Sequence, residues 1–335
     1  MTDCVQRLAL ASLATSSQKA YKSAWKRFKD LADSRGVQPL PCDPKDFASL
    51  IGEFAEDVGK FHAVKQMLAA VAFFHRMSGS NPPQDSPEFK LVLRGIKRLC
   101  YVKPKRAKPL DSDILKNVLT SLVGEDLWCD SYYNVSLRKW RTAAVFVLTF
   151  AALCRFDDLT KLRINHVSFE EGRVLLFIPS SKTDQFGDGQ LVTISASGSD
   201  ACPVFFVKAY IGRLLWEAAL EGEVYVGPLF PALGRRKVSG PLGTCWTSLL
   251  SSSPEVFSYQ SALKDFREAM VDVTVDPKAY SLHSGRRGGA TEAVRNGCDL
   301  LTLKRQGRWR SDDCPQLYVD DVLNRSSRFT SFLRI

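Results

Sequence analysis

A largely apolar segment lies near the middle of the chain, at residues 142–154 (TAAVFVLTFAALC), between Arg141 and Arg155. A helix that crosses a membrane needs about 20 apolar residues, so this segment is too short to span one. A helix that is apolar on all sides is stable in water only when the rest of the chain covers it. The segment therefore predicts a buried helix at the core of a globular domain.

Length and composition point to two such domains. The chain has 335 residues, 45% of them hydrophobic, which excludes disorder and, at roughly 100–200 residues per domain, predicts two cores. The nine cysteines lie at least 16 residues apart, and the four histidines show no metal-ligand spacing. A disulfide framework and a metal site therefore fit badly, and we expect reduced thiols in an intracellular protein. A signal peptide is not expected, because Asp3 is acidic and no cationic cluster precedes the first apolar run.

Positive charge is concentrated in the first third of the chain. Residues 1–110 carry 19 Lys and Arg against 10 Asp and Glu, a net charge of +9, whereas residues 111–335 carry 27 against 26, a net charge of +1. This asymmetry is typical of a polyanion-binding module joined to a second unit, although a domain can be basic without binding nucleic acid.

The first hundred residues have the apolar spacing of helices. One helical face is formed by residues at i, i+4, i+7 and i+10, which are Tyr21, Trp25, Phe28 and Leu31. This helix starts at Ser16 or Ser17 and ends before Gly36, and further helices are predicted at 44–58, 61–78 and 86–100. No strand-like segment competes with them. The sequence therefore predicts a small all-helical domain at residues 1–101.

Residues 102–110 (VKPKRAKPL) break this pattern. Four cationic residues and two prolines leave little to bury, which is typical of an extended linker. The same composition fits a localisation signal or a strap along a phosphate backbone. A second domain, residues 111–335, begins where Asp111 or Ser112 can cap a new helix.

The second domain is predicted to be mainly helical with one small antiparallel sheet. Between about 166 and 194 the apolar period changes to two, which indicates three short strands: HVSFE, RVLLFIP and QLVTI. Helices are predicted on either side of these strands, at about residues 112–123, 134–153, 203–220, 241–251, 258–273, 284–296, 299–306 and 313–323.

Several side chains of this domain are candidates for chemistry. Arg155, at the edge of the apolar helix, must be paired or functional because an unpaired buried charge is costly. Asp158 lies on the same helical face and can hold its guanidinium, and a structural ion pair is the plainer explanation of the two. Lys182, in the turn SSKTDQ, is either solvated or a mobile ammonium that reaches into a cleft.

Two further pairs lie nearer the C-terminus. His283 and Arg286 have an H-x-x-R spacing that puts both on one side of a first helical turn, where backbone N–H groups favour an anion. Matches of this length also arise by chance. Trp309 and Tyr318 are nine residues apart. Such aromatics are usually core anchors, but the turn-rich stretch before Tyr318 is compatible with exposure in a cleft.

Taken together, the order and spacing of these residues resemble the signature of the tyrosine recombinases, the phage-integrase family. The resemblance covers nearly the whole chain and rests on Arg155-x-x-Asp158, a hairpin Lys182, His283-x-x-Arg286, Trp309 and Tyr318. It implies a helical core-binding domain that holds DNA at residues 1–101 and an α+β catalytic domain at 111–335. GRWRSDD…YV is also similar to recombinases of eukaryotic mobile elements (DIRS-like and Crypton-like).

Three positions depart from the family pattern. Trp309 stands where most members have histidine, although some have tryptophan. Arg308 stands where glycine often precedes that residue, and Asp158 replaces the more usual glutamate. None of these changes removes a catalytic function.

The resemblance assigns a role to each candidate. Arg155 and Arg286 would clamp the non-bridging oxygens of a phosphodiester bidentately, in a geometry that lysine cannot copy. Trp309 would donate its indole N–H to the same oxygens. Tyr318 would be the nucleophile, and His283 would accept or share its proton.

The implied product is a 3′-phosphotyrosine link to DNA and a free 5′-hydroxyl, whose oxygen Lys182 would protonate as general acid. Because the link retains the bond energy, neither ATP nor another high-energy cofactor is expected. No metal is expected either, which agrees with the missing acidic or Cys/His cluster. The implied partners are double-stranded DNA and a homo-tetramer on two DNA sites, with no membrane, in the nucleus if the host is eukaryotic and otherwise in the cytoplasm or nucleoid. DNA contacts are expected from cationic residues of the first domain and the linker: Lys19, Lys22, Lys26, Lys103, Lys105, Arg106 and Lys108.

Two other functions would use the same residues. A type IB topoisomerase would perform this chemistry as a monomer that relaxes supercoils, and the separate basic helical module argues against it. A recombinase-derived protein would bind DNA without cutting it, and the complete set of candidate catalytic residues argues against that. The tail, with Leu323, Phe329, Phe332 and Leu333, would dock either on a neighbouring protomer or on its own domain.

Overall fold

The computed structural model describes residues 3–103, 105–124, 135–184, 186–220, 222, 224–240, 243–249 and 255–323. The chain divides into two compact units, Met1–Lys105 and Arg106–Ile335. The predicted tail contacts of Phe329, Phe332 and Leu333 lie outside the described residues, as does the side chain of Leu323. The seven cysteines whose side chains the structure describes are free thiols, and in the described ranges no helix has the length and apolar character that a membrane span requires.

The first unit contains five helices in its described part. They are α1 (Asp3–Ala11), α2 (Thr15–Ser34), α3 (Pro44–Val58), α4 (Phe61–Met77) and α5 (Pro87–Cys100). The four predicted helices are confirmed, and α1 is additional. Local chemistry sets their ends, since the Asp43 carboxylate accepts the Lys45 N–H at 2.8 Å and Gly59 ends α3 with a positive φ.

The apolar face of α2 packs into the core of this unit. Ala24, Phe28 and Ala32 are buried, and the half-buried Trp25 stacks on Phe74 with 4.8 Å between ring centroids. The lysines of α2 lie off this face and are exposed. The helix therefore separates an apolar side from a cationic side, as its spacing predicts.

The second unit is also mainly helical in its described part. Its helices are α6 (Ser112–Val123), α7 (Leu137–Ala151), α8 (Phe156–Lys161), α9 (Pro203–Leu220), α10 (Tyr259–Glu268), α11 (Ser284–Arg295), α12 (Leu300–Gly307) and α13 (Asp313–Leu323). The strands are β1 (Val167–Glu170), β2 (Arg173–Ile178), β3 (Gln190–Ser195), β4 (Gly234–Gly240) and β5 (Gly243–Leu249).

Helix α7 is the buried helix that the apolar segment predicts. Its side chains from Trp140 to Thr149 are all buried, and Phe146 stacks on Phe266 with 4.0 Å between ring centroids. Arg141 is buried on the same helix, where its guanidinium pairs with the Asp265 carboxylate at 2.7 Å. The second unit thus packs around α7.

The three predicted strands form one antiparallel sheet in the order β1-β2-β3, with Leu176 opposite both Val167 and Val192. The predicted fold class, mainly α with a small three-stranded antiparallel sheet, is confirmed. The helix predicted at 241–251 is wrong, because β5 pairs with β4 in a second, two-stranded sheet. The β-branched and aromatic residues of β5 favour a strand when a partner strand lies beside them. The spacing of apolar residues within one segment does not reveal such a partner.

Three glycines let α11 approach its neighbours closely. A Cβ atom built at Gly285 would overlap the Thr149 side chain, at Gly288 the Leu110 carbonyl, and at Gly289 the Phe150 carbonyl. The backbone of α11 therefore lies directly against α7 and the segment that leads into α6.

We expect Gly288→Ala to lower the free energy of unfolding by about 3 kcal/mol, because the added methyl group meets rigid backbone instead of a movable side chain. Urea unfolding followed by circular dichroism measures the change. Gly52→Ala is the matched control, since Gly52 lies within α3 and an added methyl group would meet no atom within 4 Å. This control should gain about 0.5–1 kcal/mol. Equal stability of the two variants would contradict the close approach at Gly288.

Candidate active site

A sharp turn after α7 brings two arginines to one carbonyl. Leu153 has φ +49°, in the left-handed region that residues other than glycine rarely adopt. Its carbonyl oxygen accepts hydrogen bonds from Nη1 of Arg286 and from Nη2 of Arg308, the latter at 3.1 Å. The turn therefore holds two guanidiniums together at the end of a buried helix.

Arg286 is buried against backbone carbonyls and an aromatic ring. Its side chain is 1% exposed, and Nη2 donates to the Gly307 carbonyl at 2.6 Å. Its guanidinium carbon lies 4.4 Å from the centroid of the Trp309 ring. Burial, followed by the charges of Arg155 and Arg308, lowers the pKa of Arg286 to about 9. This desolvated cation is suited to bind an anion that enters the site.

Trp309 lies between Arg286 and Tyr318. Trp309 is buried, and Gly307 leaves room for the indole because it carries no Cβ. Helix α13 places Tyr318 so that its ring centroid is 5.5 Å from that of Trp309. Burial raises the pKa of the Tyr318 phenol, and the positive charges of Arg286 and Arg287 oppose that rise.

Arg155 immediately precedes α8, and one nitrogen of its guanidinium has no partner in the described structure. Its backbone N–H donates to Oδ2 of Asp158 at 2.9 Å, whereas Nη1 is buried without a hydrogen-bond partner in the described structure. We expected Asp158 to hold the Arg155 guanidinium, but its carboxylate instead caps α8 and pairs with Arg308 at 3.0 Å. The charge of Arg155 also lowers the pKa values of His283 and Tyr318.

Arg308 is a residue of this site that sequence reasoning missed. It follows α12 with φ +54°, the conformation that makes glycine favourable at this position. Its guanidinium is buried, pairs with Asp158 and donates to the Ala152 carbonyl at 3.0 Å. The departure from glycine therefore supplies a buried ion pair. The sequence shows an arginine at a helix end where glycine is usual, and neither feature reveals the partner of its side chain.

His283 precedes α11, three residues before Arg286. Its backbone N–H donates to the Ser281 hydroxyl at 3.2 Å, and its side chain is exposed. Partial desolvation lowers the pKa of His283, and the charges of Arg286 and Arg155 lower it further. The imidazole is therefore neutral at pH 7 and can accept a proton.

Lys182 lies exposed in the turn between β2 and β3, and its neighbours tie this turn to the site. The Thr183 hydroxyl donates to the Arg308 carbonyl at 3.1 Å and lies 3.1 Å from the Ser181 hydroxyl. The Asp184 carboxylate accepts three backbone N–H groups of the turn, from Gly187, Asp188 and Gly189. The Lys182 side chain thus starts one residue away from a contact with Arg308.

The seven cations expected to contact DNA are all exposed. Three lie on α2, and four lie in the segment between α5 and α6: Lys19, Lys22, Lys26, Lys103, Lys105, Arg106 and Lys108. Their contact with DNA stays a prediction. Five of them belong to the first unit, and Arg106 and Lys108 belong to the second.

We expect Arg308→Gly to lower the free energy of unfolding by about 3–5 kcal/mol, because it leaves the Asp158 carboxylate buried without its cation. Glycine suits the positive φ at this position, so the loss reports on the guanidinium instead of on backbone strain. The double variant Arg308→Gly/Asp158→Asn should recover at least half of the loss. Chemical denaturation of the three proteins measures these differences, and a cost below about 1 kcal/mol for Arg308→Gly would contradict the ion pair's importance.

Comparison with known proteins finds similar sequences and similar folds. No family model matches the chain. The chain is 24% identical over 325 residues to an integrase/recombinase xerD homolog of Selenomonas ruminantium, covering 94% of this chain and 86% of that protein. Among solved structures, the Tn1549 transposon integrase in complex with transposon right end DNA has a TM-score of 0.57 at 12% identity, covering 96% of this chain and 97% of that one. A lambda integrase tetramer bound to a Holliday junction has a TM-score of 0.51 at 15% identity, covering 96% and 76%.

The chain therefore has the two-domain fold of the tyrosine recombinases, a class of DNA strand-transfer enzymes. It is also 21% identical over 290 residues to the recombinase cre of Escherichia phage P1, covering 84% of this chain and 77% of that protein.

Proposed function

We propose that the chain is a site-specific DNA recombinase that cuts and rejoins strands through a covalent 3′-phosphotyrosine at Tyr318. The observation that carries the proposal is the continuous packing from Arg286 through the Trp309 ring to Tyr318. The positive charge of Arg155 also lowers the pKa of this phenol, and Nη1 of Arg155 has no hydrogen-bond partner in the described structure. A phenol beside two such guanidiniums matches what a phosphodiester under attack requires, since negative charge develops on its non-bridging oxygens.

In this proposal Arg155 and Arg286 bind the non-bridging oxygens of the scissile phosphate. Two of the five N–H groups of Arg286 serve the carbonyls of Leu153 and Gly307, and the others are available to the phosphate. Asp158 is a positioning residue, because it holds the backbone at Arg155 and the side chain of Arg308 rather than the phosphate.

Proton transfer completes the step. The phenol of Tyr318 gives its proton to His283, which is neutral at pH 7, and its oxygen forms a bond to phosphorus. The bond from phosphorus to the 5′ oxygen breaks, and Lys182 protonates that oxygen. Attack by a 5′-hydroxyl on the phosphotyrosine reverses these steps and rejoins the strand, so neither a metal ion nor ATP takes part.

We assign DNA holding to the first unit and strand transfer to the second, with residues 102–110 as the linker. Two such protomers on each of two DNA sites would form a tetramer, which the lambda integrase neighbour on a Holliday junction supports. The protein would then act on intracellular DNA. The segment GRWRSDD…YV supports the finer assignment to a eukaryotic mobile element of the DIRS-like or Crypton-like type, and hence to the nucleus.

The test is recovery of DNA that is covalently attached to the protein. The protein is incubated with fragmented host DNA and denatured rapidly, and the attached DNA is sequenced; a nicked duplex with the recovered sequence then traps the adduct. We expect proteolysis and mass spectrometry to locate the nucleotide on Tyr318, with equal yield in a metal chelator. Attachment at another residue, or no attachment, would refute the proposal, whereas relaxation of a plasmid that lacks the recovered sequence would favour a topoisomerase.

A further inference from the structure

Two cations beside Tyr318, Arg106 and Arg287, are not used by the mechanism above. A cleft of about 340 Å³ opens there, between the start of α11, the middle of α13 and the chain just before α6. Its lining includes Arg106, His283, Arg287, Leu317 and Tyr318. Arg287 has no counterpart among the candidate residues that the sequence suggested.

Arg287 and Arg286 are directed to different places. Consecutive residues of an α-helix point about 100° apart, so neighbouring side chains do not share a binding position. Arg286 is buried beside Trp309, whereas Arg287 is only partly buried and lines the cleft. Nη1 of Arg287 donates to the Ala107 carbonyl at 2.8 Å. The two arginines are therefore placed to contact two separate anionic groups.

The chain at residues 106–110, which we call the strap, is fixed against the start of α11. The Lys108 N–H donates to the Ala279 carbonyl at 2.9 Å, and the Leu110 N–H donates to the Ser284 carbonyl at 3.0 Å. Together with the Arg287–Ala107 hydrogen bond, these contacts hold the exposed Arg106 at the cleft. The strap is thus ordered at the point where it approaches Tyr318.

The described residues that line the cleft include two arginines, Arg106 and Arg287, and none of them is acidic. The charge of Arg287 lowers the pKa of Tyr318 and that of His283, so it acts on both groups of the proposed proton transfer. An anion that enters this cleft would lie directly next to the nucleophile.

We propose that Arg287, with Arg106 on the strap, binds a second DNA phosphate, adjacent to the phosphate that Tyr318 attacks. The inference rests on the proposed function, because the ligand is the same DNA strand. Neighbouring phosphates of one strand are joined to the scissile phosphate through the covalent backbone, at a nearly fixed distance. A cation beside the nucleophile that binds such a neighbour therefore also positions the scissile phosphate. Binding of this kind orients the scissile bond without contacting it.

The test removes charge from each partner of the contact in turn. Nicked duplexes of the recovered target sequence carry one neutral methylphosphonate at either phosphate that flanks the scissile one, and single-turnover adduct formation is measured. For the wild-type protein we expect a roughly 10- to 100-fold loss of rate at one of the two positions, as for a hydrogen bond between charged groups. Arg287→Met should lose a similar fraction of the rate on unmodified DNA. On the methylphosphonate duplex its rate should fall by less than about twofold further. The rate of Arg287→Lys on unmodified DNA should lie between those of the wild type and Arg287→Met.

Arg295→Met is the matched control, because Arg295 is exposed at the far end of the same helix. It should retain the wild-type rate and the full methylphosphonate effect. If Arg287→Met does not fold, Arg106→Met is measured in the same way, because Arg106 is exposed. Suppose that the wild-type protein forms the adduct and that Arg287→Met and Arg106→Met both keep the full methylphosphonate effect. This result would overturn the inference and leave the proposed function standing. Absence of any adduct with unmodified DNA would instead refute the proposed function.

Discussion

We expect Tyr318→Phe to abolish covalent attachment to DNA while the affinity for DNA changes by less than about twofold. The substitution removes one oxygen, which is the atom that would bond to phosphorus, and no other side chain of the site can replace it as nucleophile in the same geometry. The phenyl ring that packs against Trp309 remains, so the fold and the contact of Trp309 with Arg286 should be preserved. DNA affinity comes mainly from cations and phosphates, which the substitution does not touch.

A denaturing gel with the nicked target duplex measures attachment, and a gel-shift titration at fixed salt concentration measures binding. Tyr259→Phe is the matched control, since Tyr259 is exposed at the start of α10, outside the candidate site, and should leave the adduct yield unchanged. An equally abundant adduct with Tyr318→Phe would exclude Tyr318 as the nucleophile. A parallel loss of binding would show that the phenol has a structural role instead.

The sequence predicted the helices of the fold better than it predicted which strands pair with each other. Helical period identifies α2 to α5, because one apolar face per helix is a local property. The apolar segment of α7 was recognisable for the same reason. The helix predicted at 241–251 failed because β5 is stabilised by β4, and a strand pair depends on two segments at once.

The sequence selected several residues that the structure brings together, but it revealed neither the part played by Arg308 nor the contacts within the site. Order and spacing selected Arg286, Trp309 and Tyr318, which the structure brings into contact. The same reasoning paired Asp158 with the Arg155 guanidinium, whereas its carboxylate pairs with Arg308. That pairing depends on the left-handed backbone at residue 308, which joins side chains 150 positions apart and leaves no local pattern.

Arg286→Met is expected to reduce single-turnover adduct formation by at least about 1,000-fold without lowering stability. The catalytic loss follows from removal of a cation and several hydrogen-bond donors from the reacting phosphate. Stability should stay the same or rise by up to about 2 kcal/mol, because burial of the Arg286 charge opposes folding and the described hydrogen bonds of its side chain go only to neutral carbonyls. An apolar side chain of similar length removes that cost.

The pH dependence of stability distinguishes this explanation from simple repacking. The folded-state pKa of Arg286, about 9, lies well below the ordinary value of an arginine, so between those two values the unfolded chain binds more protons than the folded chain. The cost of the buried charge is therefore constant below pH 9 and is relieved as the pH rises above it. We expect any stability advantage of Arg286→Met at pH 7 to shrink between pH 9 and pH 10.5 in urea unfolding experiments. If Arg286→Met is less stable than the wild type by more than about 2 kcal/mol at pH 7, this explanation is wrong. The hydrogen bonds from the guanidinium to the carbonyls of Leu153 and Gly307 would then stabilise the fold by more than burial of the charge destabilises it.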